Sequence, residues 1–413
     1  MRFLPALLVA AVAVSAAASA TAQHPGSRNI TVADRIPVIQ AVDVEFDQDE
    51  SRPFLYVADA DGSVRVVSTA EKAEVIQTWQ AADGAESHIA DVEYFRIGQR
   101  HYLAAGIAND DGSGAVAVAE VTAPRRGDTL NEIARLRGSA VTDLFAYKHS
   151  SAAAVLAVAD GGPLRLFSAA ELLAANAEPS ASVDTPEELE RSTTGFDYVF
   201  LGFDAETQTD RLYGSGAGGY HVYDVTDIGN PQPVATVNPA TIRRGGAAMP
   251  TPDGRYLIAS AGYRGAPVRI FDLQQVYDGT LPVVRTAESA WAANWKNLYT
   301  DLQIRWPLVF VAGTDDGLQV FNIRDAAAPY TSAFYYTFVP ATPAGTALDR
   351  PVQGAVAVDV RNNDGLIAVG DRNTGLWLFS LEAFQGWNGH GFGVSNMSAA
   401  QDWVGGPDRF GAQ

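Results

Sequence analysis

The sequence contains no cysteine among its 413 residues. That absence excludes disulfide bonds, lipid attachment through cysteine, thiolate metal sites, c-type haem and cysteine nucleophiles. The fold must therefore be stabilised by packing alone, and a hydrophobic content of 47% is ample for a large core.

Basic residues are few, since 29 Lys and Arg stand against 48 Asp and Glu for a net charge of −19. Binding to phosphates requires a basic face, so we expect neither nucleic acid nor an anionic membrane surface as a partner. An acidic excess of this size commonly serves solubility in a secreted protein, and affinity for cations is the second explanation.

Long apolar runs are also missing, apart from one at the N-terminus. Arg2 precedes the apolar residues 4–20, and the tripeptide ATA at 20–22 fits the small-x-small cleavage rule. We predict that residues 1–22 are a secretory signal peptide and that the mature chain, starting at Gln23 with a charge of 28 − 48 = −20, is released into the periplasm or outside the cell. A retained membrane anchor is the alternative, although the run is short and rich in alanine for a span. We expect no membrane span after cleavage.

Two familiar catalytic motifs do not occur. The sequence has no G-x-S-x-G elbow and no H-E-x-x-H motif, and its six histidines do not form a metal-binding pattern. We therefore assign no catalytic residue and no cofactor-binding residue.

What the chain does contain is a repeat. Residues 52–68 read RPFLYVADADGSVRVVS, two apolar runs joined by an Asp-Gly turn, and Asp43 precedes them within a short apolar strand. This pattern predicts a small antiparallel meander. Similar units return along the chain, and the leading aspartate recurs after 48 (91 − 43), 52 (143 − 91) and 54 (197 − 143) residues. The leading aspartates are Asp43, Asp91, Asp143, Asp197, Asp301 and Asp359.

A period near 50 residues with three or four strands per unit is typical of a propeller blade. We predict an all-β fold, a seven-bladed β-propeller of four-stranded antiparallel blades over residues 23–385. The last unit lacks a fourth strand, so we predict that residues 29–39 close the ring as its outer strand. A Gly- and Trp-containing tail follows at 386–413. Blades are expected to start near residues 43, 91, 143, 197, 247, 301 and 359.

The recurring pattern D-V … L-Y-V-A-D … G-h-x-h-h-D-h (h apolar), followed once by DVTDIGNPQPVATV at 224–237, resembles the LVIVD-repeat proteins. These are secreted or surface-attached bacterial β-propellers. The resemblance covers nearly the whole mature chain and implies an architecture and a location, but no reaction. Two departures are the missing aspartate of the fifth unit and the absence of a D-P-x-x-P spacer from most copies.

The leading aspartates allow two interpretations, because the innermost strands of a propeller line its central channel. If the carboxylates face the channel, their mutual repulsion raises some pKa values or recruits a cation such as Ca²⁺. If they accept hydrogen bonds from backbone amides of neighbouring strands, they are structural, and their repetition favours this second interpretation.

Partner binding is expected of aromatic residues in segment 291–306 and of one histidine near the mouth of the channel. Packing between blades is the alternative role for the aromatic residues. The insertion at 169–195 is a second candidate surface, or a tolerated loop. The candidate partner-binding residues are Trp291, Trp295, Tyr299, Trp306 and His88.

Two functions follow as hypotheses. The first is a monomeric, non-catalytic scaffold that binds a protein or glycan partner through loops on one face. The alternative is a metal-dependent propeller enzyme, lactonase- or hydrolase-like, with a cation in the central channel.

Overall fold

The computed structural model describes residues 25–49, 51–84, 86–174, 178–184, 195–204, 206–239, 242–280, 283–338, 352–386 and 403. The predicted signal peptide, residues 1–22, lies outside this part of the chain. So does the tail at 386–413, apart from its first residue and Trp403.

In the described residues, the strands form seven separate four-stranded antiparallel sheets. The strand that precedes the first complete blade is β1 (Ile30–Ile36). The first blade contains β2 (Ala41–Phe46), β3 (Phe54–Asp59), β4 (Ser63–Ser68) and β5 (Glu74–Gln80). The second contains β6 (Ser87–Ile97), β7 (Arg100–Asn109), β8 (Ser113–Glu120) and β9 (Glu132–Ser139). The third contains β10 (Asp143–Lys148), β11 (Ala154–Ala159), β12 (Leu164–Ser168) and β13 (Ala181–Val183).

The remaining blades repeat this order. The fourth contains β14 (Phe196–Asp204), β15 (Thr209–Gly216), β16 (Gly219–Asp224) and β17 (Gln232–Val237). The fifth contains β18 (Gly245–Pro250), β19 (Tyr256–Ala261), β20 (Val268–Asp272) and β21 (Ser289–Trp291). The sixth contains β22 (Tyr299–Arg305), β23 (Leu308–Gly313), β24 (Gly317–Asn322) and β25 (Tyr330–Tyr335). The seventh contains β26 (Ala355–Val360), β27 (Ile367–Asp371) and β28 (Gly375–Leu381). Two single-turn helices are α1 (Ala169–Leu172) and α2 (Gln274–Tyr277).

The Asp-Gly turns produce the tight hairpins. Between β3 and β4, Gly62 adopts φ +82°, a left-handed conformation that favours glycine. The Asp61 carboxylate accepts a 2.9 Å hydrogen bond from the backbone N–H of Ser63 and fixes the same turn. The Asp-Gly pair therefore sets the meander from local interactions alone.

The ring closes as predicted. Strand β1 pairs antiparallel with β28 as the outer strand of the seventh blade, with Thr31 opposite Ser380. The chain just before β1 also lies against β25 of the sixth blade, where Ser27 N–H donates to the Phe334 carbonyl over 2.8 Å. The N-terminal segment therefore ties two neighbouring blades together.

The core lies between the blades. The Phe145 ring of the third blade is 4.8 Å from the Phe200 ring of the fourth, measured between centroids. The Trp291 ring of the fifth blade stacks on Phe321 of the sixth at 4.4 Å. Each sheet therefore buries its two apolar surfaces against its neighbours, which confirms the all-β, seven-bladed propeller.

Two faces of the disc can be defined from this topology. The upper face carries the loops that lead into the innermost strands and the turns between second and third strands. The lower face carries the turns between first and second strands and between third and fourth strands. The innermost strands are β2, β6, β10, β14, β18, β22 and β26. No helix in the described part of the chain is both long and apolar enough to span a bilayer.

Candidate functional site

A cavity of about 330 Å³ lies on the axis of the ring and is lined by all seven blades. Leu298, Val352 and Arg372 border it on the upper face, and none of its lining residues within the described chain belongs to a lower-face loop. We call this space the central cavity. It occupies the upper half of the channel, which makes the upper face the side from which a ligand can reach it.

The leading aspartates do not all occupy equivalent positions. Asp43, Asp91 and Asp301 are each the first paired residue after a β-bulge in their innermost strand. In the fourth blade Tyr198 takes that place and Asp197 lies within the bulge. In the seventh blade Ala357 takes it, and Asp359 lies two residues further on. The expected single ring of aspartates is therefore two layers of acidic groups.

The second layer contains two residues that the repeat did not single out. Glu45 and Glu93 follow Asp43 and Asp91 by two residues, and both line the central cavity. Residues i and i+2 of a strand share a side, so the tripeptide Asp-Val-Glu at 43–45 and again at 91–93 is the signal that could have revealed them.

Four carboxylates of the upper layer each join their blade to the next by accepting a backbone N–H from the following innermost strand. This is the hydrogen-bonding arrangement that their repetition favoured. The donor and acceptor pairs are Val92 to Asp43 at 3.0 Å, Leu144 to Asp91 at 2.5 Å, Val199 to Asp143 at 2.7 Å and Val358 to Asp301 at 2.8 Å.

Carboxylates of the second layer accept backbone N–H groups in the same way between two further pairs of innermost strands. Ala146 N–H donates to Glu93 at 3.0 Å, from the third blade to the second. Phe46 N–H donates to Asp359 at 2.7 Å, from the first blade to the seventh. Acidic side chains therefore link the blades across the point where the ring closes.

Asp197 uses a different partner. Its buried carboxylate pairs with the Arg244 guanidinium, with Nε 2.6 Å from Oδ2. Arg244 lies just before β18, the strand whose unit lacks a leading aspartate. This ion pair thus joins the fourth and fifth blades, and its arginine side chain is half-exposed.

Burial in the channel raises the pKa of most of these carboxyl groups. Burial and the charge of Asp143 raise the pKa of Asp91 to about 7. Burial, the charge of Asp91 and a hydrogen bond between the two carboxyls raise the pKa of Asp43 well above its usual value. Burial likewise raises the pKa of Glu45 and of Glu93. Asp91 is therefore only partly ionised near neutral pH, and the pKa values of its neighbours shift in the same direction.

One buried cation balances part of this charge. Arg305 has no exposed side-chain surface, and its guanidinium lies 3.7 Å from the Asp359 carboxylate. It also donates to the Val360 carbonyl at 2.6 Å and to Asn362 Oδ1 at 2.6 Å. Burial lowers the pKa of Arg305, while Asp359 and Glu45 oppose that change.

The wall of the central cavity is asymmetric. The acidic residues come from blades six, one, two and three, whereas blades four and five contribute Tyr198, Phe200, Ala247 and Met249. An acidic side therefore faces an aromatic and apolar side. This arrangement suits a ligand that carries a positive charge next to an apolar stem, since carboxylates and aromatic faces both attract cations.

A metal site is not evident from geometry alone. Within the described residues, no group of three or more His, Asp or Glu side chains is arranged to hold a metal ion. At the turn between β3 and β4, the Asp59 carboxylate pairs with Arg65 Nε at 2.6 Å. Cation binding by the leading aspartates stays a prediction.

The predicted partner-binding residues are not gathered into one surface. Trp291 is buried and its Nε1 donates to Thr331 Oγ1 at 3.0 Å, and Tyr299 is buried with its hydroxyl hydrogen-bonded to Asn294. Both contribute to packing around the fifth and sixth blades, which was the alternative role.

The other three members of the set divide between the faces, and Trp306 among them is half-buried. Trp306 follows β22 on the lower face, whereas Trp295 precedes β22 on the upper face and is 63% exposed. His88 is exposed near the upper end of β6. Only Trp295 and His88 therefore share the face on which the central cavity opens.

The described part of the predicted insertion at 169–195 contributes to the third blade. It contains α1 and the outer strand β13, which pairs with β12. Residues 175–177 and 185–194 lie outside the described part of the chain.

No protein-family model and no curated protein matches this chain. Solved structures with a similar fold include Raptor of Chaetomium thermophilum, with a TM-score of 0.55 and 14% identity over 85% of this chain and 29% of that one. They also include the WD40 β-propeller domain of Doa1, with a TM-score of 0.54 and 12% identity over 86% of this chain and 99% of that one. Such low identities show the propeller fold alone, and membership of the LVIVD-repeat family stays a prediction.

Proposed function

We propose that this protein is a non-catalytic scaffold that binds a partner on its upper face, above the central cavity. The observation that carries the proposal is the asymmetric cavity wall, acidic on one side and aromatic on the other, which borders the same face as exposed Trp295. A protein that places a lysine or arginine side chain into the cavity is the partner that best fits this chemistry. A glycan partner is the other outcome of the test.

Export belongs to the same proposal. It is supported by the basic residue, apolar run and cleavage pattern of residues 1–22. We propose the periplasm or the outside of the cell as the location, with an LVIVD-repeat protein as the kind of scaffold and a monomer as its state.

A photocrosslinking residue in place of Trp295 should capture the partner in the native host. Tyr330 supplies the matched control, because it is also an exposed aromatic residue (58%) but lies on an outer strand at the rim. We expect an adduct at position 295 and none at 330, measured by gel shift and mass spectrometry.

The chemistry of the captured partner separates the alternatives. A protease-sensitive adduct whose crosslinked peptide contains Lys or Arg supports the proposal, and a glycosidase-sensitive adduct indicates a glycan. Asp91→Asn should weaken capture, whereas Asp111→Asn, in an exposed hairpin, should not. Adducts of equal yield at 295 and 330 would contradict binding on the upper face.

A metal-dependent enzyme with a cation in the channel is the second candidate. It is favoured by the concentration of carboxyl groups with raised pKa values, since a bound cation would displace their protons. We expect Ca²⁺ to raise the melting temperature if this function is right, and the double variant Asp43→Asn, Asp301→Asn to abolish that rise. A melting temperature independent of Ca²⁺, Mg²⁺, Mn²⁺ and Zn²⁺ at pH 8 would eliminate this candidate.

A further inference from the structure

One tryptophan of the C-terminal tail is seated on the propeller. The Trp403 ring meets the Tyr94 ring edge-on, with centroids 6.2 Å apart and planes at 89°. Trp403 also packs against two hydrophobic clusters, one between the first and second blades and one between the second and third. It is partly buried there. The contact is thus with the propeller core and not with a single exposed side chain.

The surface that receives Trp403 is held rigidly by other contacts. Tyr94 stacks on Tyr56 of the first blade at 5.8 Å, and its hydroxyl lies 2.6 Å from His101 Nδ1. Burial and neighbouring arginines lower the pKa of His101 to about 4, so its ring is neutral at pH 7. We call this surface, made of Tyr94 and the apolar side chains around it, the Trp403 socket.

The socket lies on a different side from the proposed partner site. Tyr94 is near the end of β6 that leads to the lower face, because Arg100 begins the next strand after a short turn. Trp295 precedes its innermost strand on the upper face. Occupation of the socket therefore leaves the upper face free.

The sequence between the propeller and Trp403 explains why one residue can act as the anchor. Residues 387–402 read WNGHGFGVSNMSAAQD, and this sequence has too few apolar side chains for a core of its own. A ligand tethered by a linker of this length has an effective local concentration near the millimolar range. A weak aromatic contact is therefore enough to keep the tail bound.

We infer that the lower face carries a tryptophan-accepting socket whose occupant is the chain's own tail through Trp403. The tail is an intramolecular ligand of the propeller. When it leaves, an apolar aromatic site is exposed beside the lower end of β6.

The test uses the full chain with Trp403→Ala, which empties the socket, and Trp387→Ala as a matched control in the same tail. The probe is a fluorescent synthetic peptide with the sequence of residues 398–408. We expect it to bind the Trp403→Ala chain at least about tenfold more tightly than the wild-type or Trp387→Ala chain, because the tethered tail competes in both of the latter. The same peptide with its tryptophan replaced by alanine should not bind.

Equal binding to all three chains, or no binding to the Trp403→Ala chain, would overturn the inference. A second measurement does not depend on the peptide. Hydrogen exchange of the segment containing Tyr94 should be faster in Trp403→Ala than in Trp387→Ala, and equal rates would also count against the socket.

Discussion

Deleting residues 25–36 lowers the free energy of unfolding by about 5 kcal/mol, because the seventh blade loses its outer strand. Ile30 is 7% exposed and packs with Val32 against the cluster that contains Phe379. Each buried aliphatic side chain contributes about 1.5–3 kcal/mol, and the lost ladder to β28 adds the rest. With about 2.1 cal/mol/K of unfolding entropy per residue, the melting temperature should fall by about 6 °C in a thermal scan.

Two glycine variants test the contribution of β1 without shortening the chain. One disturbs the pairing of β1 with β28, and the other leaves it intact. A Cβ at Gly375 would lie 2.3 Å from the Ile36 carbonyl oxygen, so Gly375→Ala pushes β1 away from β28. Gly112 also has a positive φ but no atom within 4 Å of its added Cβ, so Gly112→Ala carries the backbone strain alone. Gly375→Ala should be the more destabilising of the two, and equal losses would argue against closure by β1.

The second large effect is a loss of stability as the pH rises from 5 to 8. The pKa of Asp91 is about 7 in the folded chain against an ordinary value of 3.8, so the folded state binds more protons than the unfolded state between those values. Stability therefore falls with rising pH across this window. Between pH 5 and pH 8 the loss from Asp91 is about 3 kcal/mol, and Asp43, Asp143, Glu45 and Glu93 around it shift in the same direction.

Asp91→Asn should flatten this pH dependence and raise the melting temperature at pH 8. The amide oxygen can still accept the Leu144 N–H, but it cannot ionise. Asp111→Asn is the matched control, because hydrogen bonds to Ser113 lower the pKa of that exposed carboxyl. Urea titrations at pH 5 and pH 8 measure the difference, and a wild-type chain that is more stable at pH 8 would contradict a proton-holding channel.

The fold could be predicted because its signals are local and repeated. Apolar runs flanking an Asp-Gly pair specify a hairpin without reference to distant residues, and Gly62 shows why the glycine is needed. Closure by β1 followed from a missing fourth strand in the last unit, since an open blade would expose its edge. Both inferences rest on backbone geometry, which sequence periodicity reports directly.

The site could be predicted only in part because β-bulges are invisible to sequence spacing. A bulge inserts one residue, so Asp197 and Asp359 shared the repeat pattern of Asp43 without sharing its place in the channel. The network with Glu45 and Glu93 depends on which blade is next in the ring, and single units do not carry that information.

The aromatic segment shows the same limit over a longer distance. Trp295 and Trp306 flank the seven-residue strand β22 on opposite sides. Such a strand is about 23 Å long, so residues close in sequence are separated by the thickness of the disc. The number of aromatic residues in segment 291–306 predicted a binding platform. The structure instead places Trp295 on the upper face and Trp306 on the lower face.

A double-cysteine variant tests the closed ring most directly, because the native chain has no cysteine to compete. Thr31 and Ser380 are partners in the β1–β28 register and both are exposed, and facing residues of antiparallel strands are close enough for a disulfide. Thr31→Cys with Ser380→Cys should form one intramolecular disulfide under mild oxidation, with a higher melting temperature that reductant reverses. The pair Thr31→Cys with Ser68→Cys, on another blade, should stay reduced. If the cysteines at 31 and 380 stay reduced under the same oxidation, the result would contradict closure of the ring by its own N-terminal strand. A disulfide between two copies of the chain would contradict it as well.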